Sequence, residues 1–406
     1  MVVRNHKTTH ITIVGGGFGG VRAALDIAEH PDMTVTLISD KSDFQYYPTL
    51  YSSATGHSHL ESWVPLGEIF ADYPNIKVFI DTINGIDAKT KTLHGASGTR
   101  YQYDTVIFSI GVVTTFFGIP GLETYAYGIK SEAEIKKLKH RLFVDIAEKR
   151  TLDHNYCVIG AGPTGVELSA AIGTYIKRLC KYYGVQDRRV HVRLIEATPR
   201  VLPKSSKLTS FMVARRLRKL GVIIETNKRV EKENARELIV SGHPIESHTV
   251  IWTSGVSNHP FFAAHPDVFQ FDTRGRVVVD TQLRAHDSIY VIGDSACTPY
   301  TGLAQTAIKD GSFVARNILR EYHGKKPRTY RAVMPPQAIP VGRNWAVVEW
   351  RWVRVYGLLG GVVRRVADFI GYSEVLPFGT SLGAWRAARI YENDYFTPTL
   401  KTKKLR

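Results

Sequence analysis

Two glycine-rich turns of the same form occur in this chain of 406 residues. The first is Gly15-Gly16-Gly17-Phe18-Gly19-Gly20 and the second is Gly160-Ala161-Gly162-Pro163-Thr164-Gly165. Each follows an apolar, strand-like stretch and precedes apolar residues at helical spacing, which is the context that a dinucleotide-binding G-x-G-x-x-G turn requires. The first glycine allows a tight turn, the second lets backbone approach a pyrophosphate, and the third lets the helix pack closely. Two such turns predict two bound dinucleotides, of which a flavin and a nicotinamide are the obvious pair.

The elements around these turns predict an α/β fold with two Rossmann-like dinucleotide-binding domains. We expect the first domain at 1–121, the second at 122–257, a return to the first at 258–334, and a C-terminal helical segment for membrane association or dimerisation at 335–406. The sequence predicts strands at 34–38, 103–110, 190–195, 222–226, 249–252 and 288–292, and helices at 131–149, 211–220 and 304–318.

Two acidic residues follow second strands, where a carboxylate can accept hydrogen bonds from a ribose. Glu196 comes directly after the strand ending at Ile195, so it favours NADH over NADPH by repelling a 2′-phosphate. In the first unit Ser39 holds that place, and Asp40 serves only if the turn is shifted by one residue. For Glu196, an ordinary exposed glutamate stays the alternative.

The cysteines and the ends of the chain restrict its class. Cys157, Cys180 and Cys297 form no C-x-x-C pair and no metal-ligand spacing, so we expect no bound metal and no disulfide framework. No run of eighteen apolar residues occurs, so no transmembrane helix is expected. The first ten residues contain no apolar run, so we expect no cleaved export signal and a location on the cytoplasmic face.

The formal net charge of +16 is the unusual feature of the composition. It is compatible with nucleic acid, anionic lipid, an acidic protein partner or a solvated basic surface. No zinc finger and no RNA-binding aromatic signature accompanies it, so nucleic acid is the less favoured partner.

Tryptophan and arginine are concentrated in residues 345–390. Short apolar faces there (one with Trp345, Trp352 and Leu358, another with Val362, Val366, Phe369 and Ile370) predict docking on an anionic membrane surface, because tryptophan favours the interface and arginine meets headgroups. A homodimer interface is the alternative use of the same segment, and both uses can coexist. The arginines interleaved with the tryptophans are Arg343, Arg351, Arg354, Arg364, Arg365 and Arg386.

The order of these parts resembles the two-dinucleotide-binding flavoproteins, and the local motifs resemble type II NADH dehydrogenase, the single-subunit NADH:quinone oxidoreductase. The resemblance covers about 10 to 395. Its motifs are the stretches 47–56, 117–121, 252–256 and 304–307. The chain departs from the family at 108–111, which reads Phe-Ser-Ile-Gly where an Ala-Thr-Gly ending is usual.

The resemblance implies roles for single residues. Glu167 would reach the nicotinamide side of the flavin and serve proton chemistry at the quinone site, although the helix dipole alone could explain a glutamate there. Gln305 would lie beside the flavin ring and the quinone, or be an ordinary polar helix start. Asp294 would bind the flavin's ribitol chain, act as a helix N-cap, or do both. The remaining implied cofactor-binding residues are Gly111, Gly255, Gly293 and Ala304.

These observations predict a peripheral membrane enzyme with tightly but non-covalently bound FAD, which takes hydride from NADH and passes two electrons to a quinone without pumping protons. One alternative keeps the fold and replaces the quinone with a ferredoxin-like protein. Another is a flavoprotein of the apoptosis-inducing-factor type, whose basic surface binds nucleic acid. The missing cysteine pairs disfavour disulfide reductases and sulfide:quinone reductases.

Overall fold

The computed structural model describes residues 9–185 and 190–392, so the predicted domain ends at 1–8 and 393–406 lie outside the described residues. The strands and helices of the first part are, in chain order, β1 (Thr9–Val14), α1 (Phe18–Ala28), β2 (Met33–Ser39), β3 (Asp43–Gln45), α2 (Leu50–Ala54), β4 (Trp63–Pro65), α3 (Leu66–Ile69), β5 (Ile76–Ile80), β6 (Ile83–Asp87), β7 (Thr92–Gly95), β8 (Arg100–Gln102), β9 (Thr105–Phe108), β10 (Val112–Thr114) and α4 (Leu122–Tyr125).

The middle of the chain contains the second glycine turn. Its elements are α5 (Glu132–Phe143), β11 (Asn155–Ile159), α6 (Pro163–Tyr183), β12 (His191–Ile195), α7 (Lys207–Lys219), β13 (Val222–Glu225), β14 (Val230–Glu233), β15 (Glu237–Val240), β16 (His243–Glu246), β17 (Thr249–Trp252), β18 (Val256–Asn258) and α8 (Pro260–Ala263).

The last part of the chain returns to the first sheet and then forms a short sheet of its own. Its elements are β19 (Arg284–His286), β20 (Ile289–Val291), α9 (Ala304–Tyr322), β21 (Gln337–Pro340), β22 (Ala346–Trp350), β23 (Val353–Gly357), α10 (Leu358–Ser373) and α11 (Phe378–Ala387). Short 3₁₀ turns occupy 47–49, 59–61 and 293–295.

Two parallel sheets carry the two glycine turns. The first has the order β19-β20-β9-β1-β2-β5, in which only β19 runs antiparallel to its neighbour. The second has the order β13-β12-β11-β17 and is parallel throughout. β1 and β11 are buried along most of their length because helices or loops cover both faces of a parallel sheet. The predicted pair of Rossmann-like units is confirmed.

The chain crosses between the two units twice. β10 follows the first unit, β18 follows the second, and these two strands pair antiparallel, with Val112 opposite Asn258 and Thr114 opposite Val256. After β18 the chain returns to the first sheet through β19 and β20. The two crossings therefore lie side by side, which fixes the second unit above the carboxyl ends of the first sheet.

Some element bounds differ from the sequence-based predictions. The helix expected at 131–149 ends as α5 at Phe143 and continues as a π turn over 144–148. Ser131 caps α5 in a reciprocal capping box with Glu134, so α5 begins where the helix was expected. The helix expected from 211 begins four residues earlier, because the Ser206 hydroxyl accepts the backbone N–H of Thr209.

The C-terminal segment is only partly helical. It begins with the antiparallel sheet β21-β22-β23, and α10 packs across that sheet before α11 folds back beside α10. The turn between β22 and β23 carries Trp350 and Trp352, so these tryptophans belong to a hairpin and its turn. The predicted apolar face that joined Trp352 to Leu358 therefore spans a hairpin and the start of a helix.

Candidate active site

The first glycine turn links β1 to α1 with a geometry that only glycine allows. Gly15 has a φ of +109°, and a Cβ on it would lie 2.4 Å from the carbonyl oxygen of Ser109. A Cβ on Gly20 would lie 2.0 Å from the carbonyl oxygen of Gly15, so the third glycine lets α1 approach the turn. Around Gly17 nothing comes closer than 4.0 Å, which leaves the N-terminus of α1 open to a ligand.

A cavity of about 450 Å³ lies in front of this turn. It is formed by the carboxyl ends of the first sheet and reaches across to α6 of the second unit, where Thr164 and Glu167 line it. The predicted residues that line this cavity are Gly15, Gly17, Phe18, Asp40, Gly111, Glu167, Gly293, Asp294 and Ala304. The cavity therefore holds most of the residues predicted for the first nucleotide site together with Glu167 of the second unit, whereas the residues predicted for the second nucleotide site lie outside its lining: Gly160, Gly162, Gly165, Glu196 and Gly255.

The ribose-binding position in the first unit has two neighbours that line the cavity, Ser39 and Asp40. Ser39 is 4 % exposed, and its hydroxyl accepts the backbone N–H of Lys41 at 3.2 Å. Asp40 is exposed at the rim of the cavity. The carboxylate displaced by one residue thus lies at the cavity, as the shifted turn required.

Asp294 lies in the 3₁₀ turn at 293–295, on the cavity wall. Its carboxylate accepts the backbone N–H of Gly302 at 3.0 Å, while Ile292 occupies the cap position of the turn without a side-chain bond. The interpretation of Asp294 as an N-cap is wrong, because α9 begins only at Ala304. Its carboxylate instead closes the loop that leads to α9.

Asp310, which was not predicted from the sequence, fixes the turn at 293–295 from the protein interior. Asp310 on α9 is fully buried, and its carboxylate accepts the backbone N–H of Gly293 at 3.1 Å and the hydroxyl of Tyr330 at 2.5 Å. Burial raises the pKa of Asp310 to about 6, although both hydrogen bonds oppose that shift. A charged residue on the buried face of a helix was the available signal.

Gln305 is placed differently from its neighbour Ala304. Its amide nitrogen donates to the Glu374 carboxylate at 3.0 Å, and Gln305 is absent from the cavity lining. Burial raises the pKa of Glu374. The structure thus ties this part of α9 to the end of α10, and a flavin or quinone contact of Gln305 stays a prediction.

Glu167 on α6 is buried beside a residue of the C-terminal segment. The Arg364 guanidinium lies 3.7 Å from its carboxylate and 2.8 Å from the Asp368 carboxylate. Burial raises the pKa of Glu167 to about 8; Arg364 opposes this shift, and Asp368 adds to it. A carboxyl group with this pKa is mostly protonated at neutral pH.

Arg364 was expected to meet lipid headgroups, and that expectation is wrong. Its side chain is 11 % exposed and points inward, where it donates to the carbonyls of Ala338 and Pro48 as well as to Asp368. The nearby acidic groups outweigh burial and raise its pKa further above the usual arginine range. Sequence alone gave no reason to separate Arg364 from Arg365.

The second glycine turn repeats the geometry of the first. Gly160 has a φ of +103°, and a Cβ on Gly165 would lie 1.8 Å from the Gly160 carbonyl oxygen. Nothing lies within 4 Å of a Cβ on Gly162, so the N-terminus of α6 is also open. Gly255 is required for packing, because a Cβ there would lie 2.3 Å from the carbonyl oxygen of Thr115.

Glu196 is held against the second turn. Its carboxylate accepts the backbone N–H of Ala161 at 2.7 Å and that of Thr198 at 2.8 Å. With 9 % of its surface exposed, it is not the ordinary exposed glutamate of the alternative. A carboxylate can accept about four hydrogen bonds, so both contacts leave capacity for a ribose.

One apolar face of the C-terminal segment is left exposed. Five residues of α10 on one side of the helix are each more than half exposed: Leu358, Leu359, Val362, Val366 and Ile370. Trp352 is 81 % exposed at the tip of the preceding hairpin, and Phe378 is 72 % exposed at the start of α11. Residues 9–185 and 190–392 contain no helix that is long and apolar enough to cross a membrane. Exposed contiguous apolar faces of this kind mark interaction surfaces.

Within the same described residues there is no cluster of three or more histidine, cysteine or carboxylate side chains that could hold a metal. Cys157 and Cys180 are buried and Cys297 is exposed, each as a free thiol. Burial raises the pKa of the Cys157 thiol to about 12, as for a small buried hydrophobic residue.

Comparisons with known proteins agree with this geometry. The sequence profile of the family described as pyridine nucleotide-disulphide oxidoreductase matches residues 9–311, and the chain belongs to that family. It is 29% identical over 334 residues to the type II NADH:quinone oxidoreductase NdhA of Mycobacterium tuberculosis, covering 76% of this chain and 71% of that protein. It is 26% identical to the type II NADH:quinone oxidoreductase of Staphylococcus epidermidis, covering 88% and 94%.

Solved structures share the fold at low sequence identity. NDH2 from Plasmodium falciparum in complex with NADH superposes with a TM-score of 0.83 at 18% identity, covering 94% of this chain and 97% of that one. The sulfide:quinone oxidoreductase of Aquifex aeolicus gives a TM-score of 0.76 at 17% identity, covering 90% and 91%. The predicted resemblance to type II NADH:quinone oxidoreductases is confirmed.

Proposed function

We propose that this protein is an FAD-dependent NADH:quinone oxidoreductase that carries out NADH + H⁺ + quinone → NAD⁺ + quinol. The observation that supports it best is the cavity of about 450 Å³ lined by the first glycine turn, by Thr164 within the second turn and by Glu167 just after it. Such a cavity brings a flavin held by the first turn and a nicotinamide held by the second into contact.

The residues of the first unit fit FAD, bound without a covalent link. The open N-terminus of α1 at Gly17 suits a pyrophosphate, and the Asp40 carboxylate suits a ribose. Gly111, Gly293, Asp294 and Ala304 line the same cavity. When bound, the flavin accepts hydride from NADH and passes two electrons to the quinone.

The residues of the second unit fit NADH. Gly162 leaves the N-terminus of α6 open, and Glu196 places a negative charge beside the same turn. That charge accepts a 2′-hydroxyl and repels a 2′-phosphate, so we assign NADH as the preferred donor.

Glu167 supplies a proton at the cavity. Because burial raises its pKa to about 8, the carboxyl group is mostly protonated at pH 7 and can donate to a quinone oxygen that gains electrons. Arg364 then stabilises the carboxylate that remains, at 3.7 Å. The C-terminal segment thereby contributes a positioning residue to the site.

The exposed face of α10 docks on an anionic membrane from the cytoplasmic side, where the quinone is dissolved. Leucine and valine side chains enter the boundary between headgroups and acyl chains, and exposed Arg351 and Arg389 add about 1 kcal/mol each near the surface. A homodimer that shares this segment is the second use of the face.

The function is tested anaerobically on the purified yellow protein. We expect NADH to bleach the flavin band and a short-chain quinone to restore it rapidly. Bleaching without return would leave a dehydrogenase with a protein acceptor such as a ferredoxin. If flavin is bound and NADH does not bleach it, the enzyme assignment is refuted and nucleic-acid binding becomes the function to test.

A further inference from the structure

A second cavity, of about 270 Å³, lies between α2, α6 and the C-terminal segment. Tyr51 lines both cavities and therefore forms part of the wall between them. Arg364 and Asp368 also line the second cavity, while the Arg364 guanidinium contacts Glu167 on the wall of the first. The second cavity thus ends at the groups that surround Glu167.

The same cavity connects this interior position with solvent. Its lining includes the exposed residues Arg343 and Arg389 and also the fully buried Glu61 and Tyr372. A volume of 270 Å³ has room for several water molecules, since each occupies about 30 Å³ in the liquid. Its lining includes hydroxyl, guanidinium and carboxyl groups, such as those of Thr49, Arg364 and Asp368, that can hydrogen-bond to water.

Glu61 is the buried acid of this cavity. It is 1 % exposed, and its Oε1 is buried without a hydrogen-bond partner. The hydroxyls of Thr49 and Tyr372 donate to its backbone carbonyl, so the peptide is fixed while the carboxyl group keeps an open acceptor. Burial is the main cause that raises the pKa of Glu61 to about 8.

Charged and titratable groups face Glu61 from every neighbouring element. Lys139 on α5 favours its charged form, and Asp368 on α10 disfavours it. Ser52 and Ser53 of α2 also favour the carboxylate. Tyr372 on α10 faces it as well, the half-buried His57 lines the same cavity, and Glu392 pairs with Lys139.

Glu392 is unsuited to carry a proton. Its carboxylate accepts the Ser58 hydroxyl at 2.6 Å and the His59 backbone N–H at 3.1 Å, and it lies 3.6 Å from the Lys139 ammonium. These hydrogen bonds, against burial, lower the pKa of Glu392 to about 2. Glu61 therefore stands apart as a buried carboxyl group that is protonated near neutral pH.

We propose that the cavity of about 270 Å³ is the entry route for the proton consumed in quinone reduction, and that Glu61 is the internal carboxyl that passes it toward Glu167. In this step an O–H bond of Glu61 breaks as one forms on a water beside Tyr51. An O–H bond of that water then breaks as one forms on the Glu167 carboxylate, so the water is unchanged. Glu61 then regains a proton from solvent, and no electrons move. This inference rests on the proposed function, because the route is needed only if quinone is the acceptor.

The test separates the two half-reactions in a stopped-flow instrument. In Glu61→Gln we expect NADH to bleach the flavin at the wild-type rate and a short-chain quinone to restore it at least tenfold more slowly. Formic acid or imidazole, small enough to enter the cavity, should restore part of the lost rate. Glu61→Asp, which keeps a carboxyl group, should stay within about threefold of wild type.

Glu233→Gln is the matched control. Glu233 is a buried glutamate whose pKa burial raises to about 8, it has an unpartnered Oε2, and it lines neither cavity. We expect it to leave both half-reactions within twofold of wild type. If Glu61→Gln behaves like this control, or slows both half-reactions equally without rescue by acid, the proposal is wrong.

A second variant tests the same route without changing Glu61, in case Glu61→Gln does not fold. Ala171→Phe on α6 fills part of the cavity from its wall while leaving every acid in place. Retained flavin with a tenfold slower return of the flavin band would support the route, and an unchanged return would overturn it. Failure of the proposed function is read separately, from wild-type protein that quinone does not reoxidise.

Discussion

The two glycine turns have the same backbone and opposite electrostatic surroundings. In both, a Cβ on the third glycine would lie within about 2 Å of the first glycine's carbonyl oxygen, at 2.0 Å for Gly20 and 1.8 Å for Gly165. Seven residues after the first glycine, however, α1 carries Arg22 and α6 carries Glu167. The C-terminal segment contacts both: Arg22 donates to the Glu374 carbonyl at 3.0 Å, and Arg364 lies 3.7 Å from Glu167. Local sequence therefore sets the turns, and a distant segment sets the charge beside them.

The largest expected effect comes from breaking each turn separately. Gly20→Ala pushes a methyl group against the Gly15 carbonyl, so we expect purified protein that has lost its flavin. Gly165→Ala makes the matching clash in the second unit, so the protein should stay yellow and lose bleaching by NADH. Flavin absorbance and stopped-flow reduction measure both. Loss of flavin in both variants would mean that the turns are not independent.

Removing Arg364 is the next largest change. In Arg364→Met the buried Glu167 and Asp368 lose their cation, and breaking such a pair costs about 3–5 kcal/mol of stability. Arg364 lowers the pKa of Glu167, so without it that pKa rises above its value of about 8. A reaction that needs protonated Glu167 slows as pH rises through this pKa, and in the variant the slowing should move to higher pH. Thermal unfolding and the pH dependence of flavin reoxidation by quinone measure the two effects. If the pH at which reoxidation slows (the pH limb) is the same in the variant as in wild type, Glu167 is not the proton donor.

The two ribose acids offer a third comparison. Glu196 is held by two backbone N–H groups, whereas Asp40 stands exposed at the cavity rim. Glu196→Gln should lower the affinity for NADH about tenfold, which is about 1.4 kcal/mol of binding free energy. It should also reduce the preference for NADH over NADPH. Asp40→Asn should lower the affinity for FAD by a smaller factor and leave the preference for NADH over NADPH unchanged. Titrations of the flavin reduction rate against NADH and NADPH distinguish the two variants. If Glu196→Gln prefers NADH over NADPH as strongly as wild type does, Glu196 does not contact the nucleotide.

Features that depend on residues close together in the sequence could be predicted, and features that depend on contacts between distant segments could not. Both turns, their strands and the start of the helix near Ser131 follow from patterns over a few residues, and the structure places them as expected. Arg364 could not be separated from the other arginines, because its inward position depends on Glu167 of the second unit lying against α10 of the C-terminal segment. Asp310 was missed for the same reason: its partners, Gly293 and Tyr330, lie on separate loops.

The smallest expected effect tests whether the opposite charges are equally important. Arg22 is 30% exposed and pairs with Asp26 on its own helix, so its ionic contacts are screened and worth about 0–1 kcal/mol. Arg22→Met should therefore lower stability slightly, keep the flavin, and leave the pH limb of reoxidation where it is in wild type. It is also the matched control for Arg364→Met, since both remove an arginine that contacts the C-terminal segment. A shift of the pH limb in Arg22→Met would show that Glu374, whose carboxylate accepts the Gln305 amide, titrates with the reaction as well.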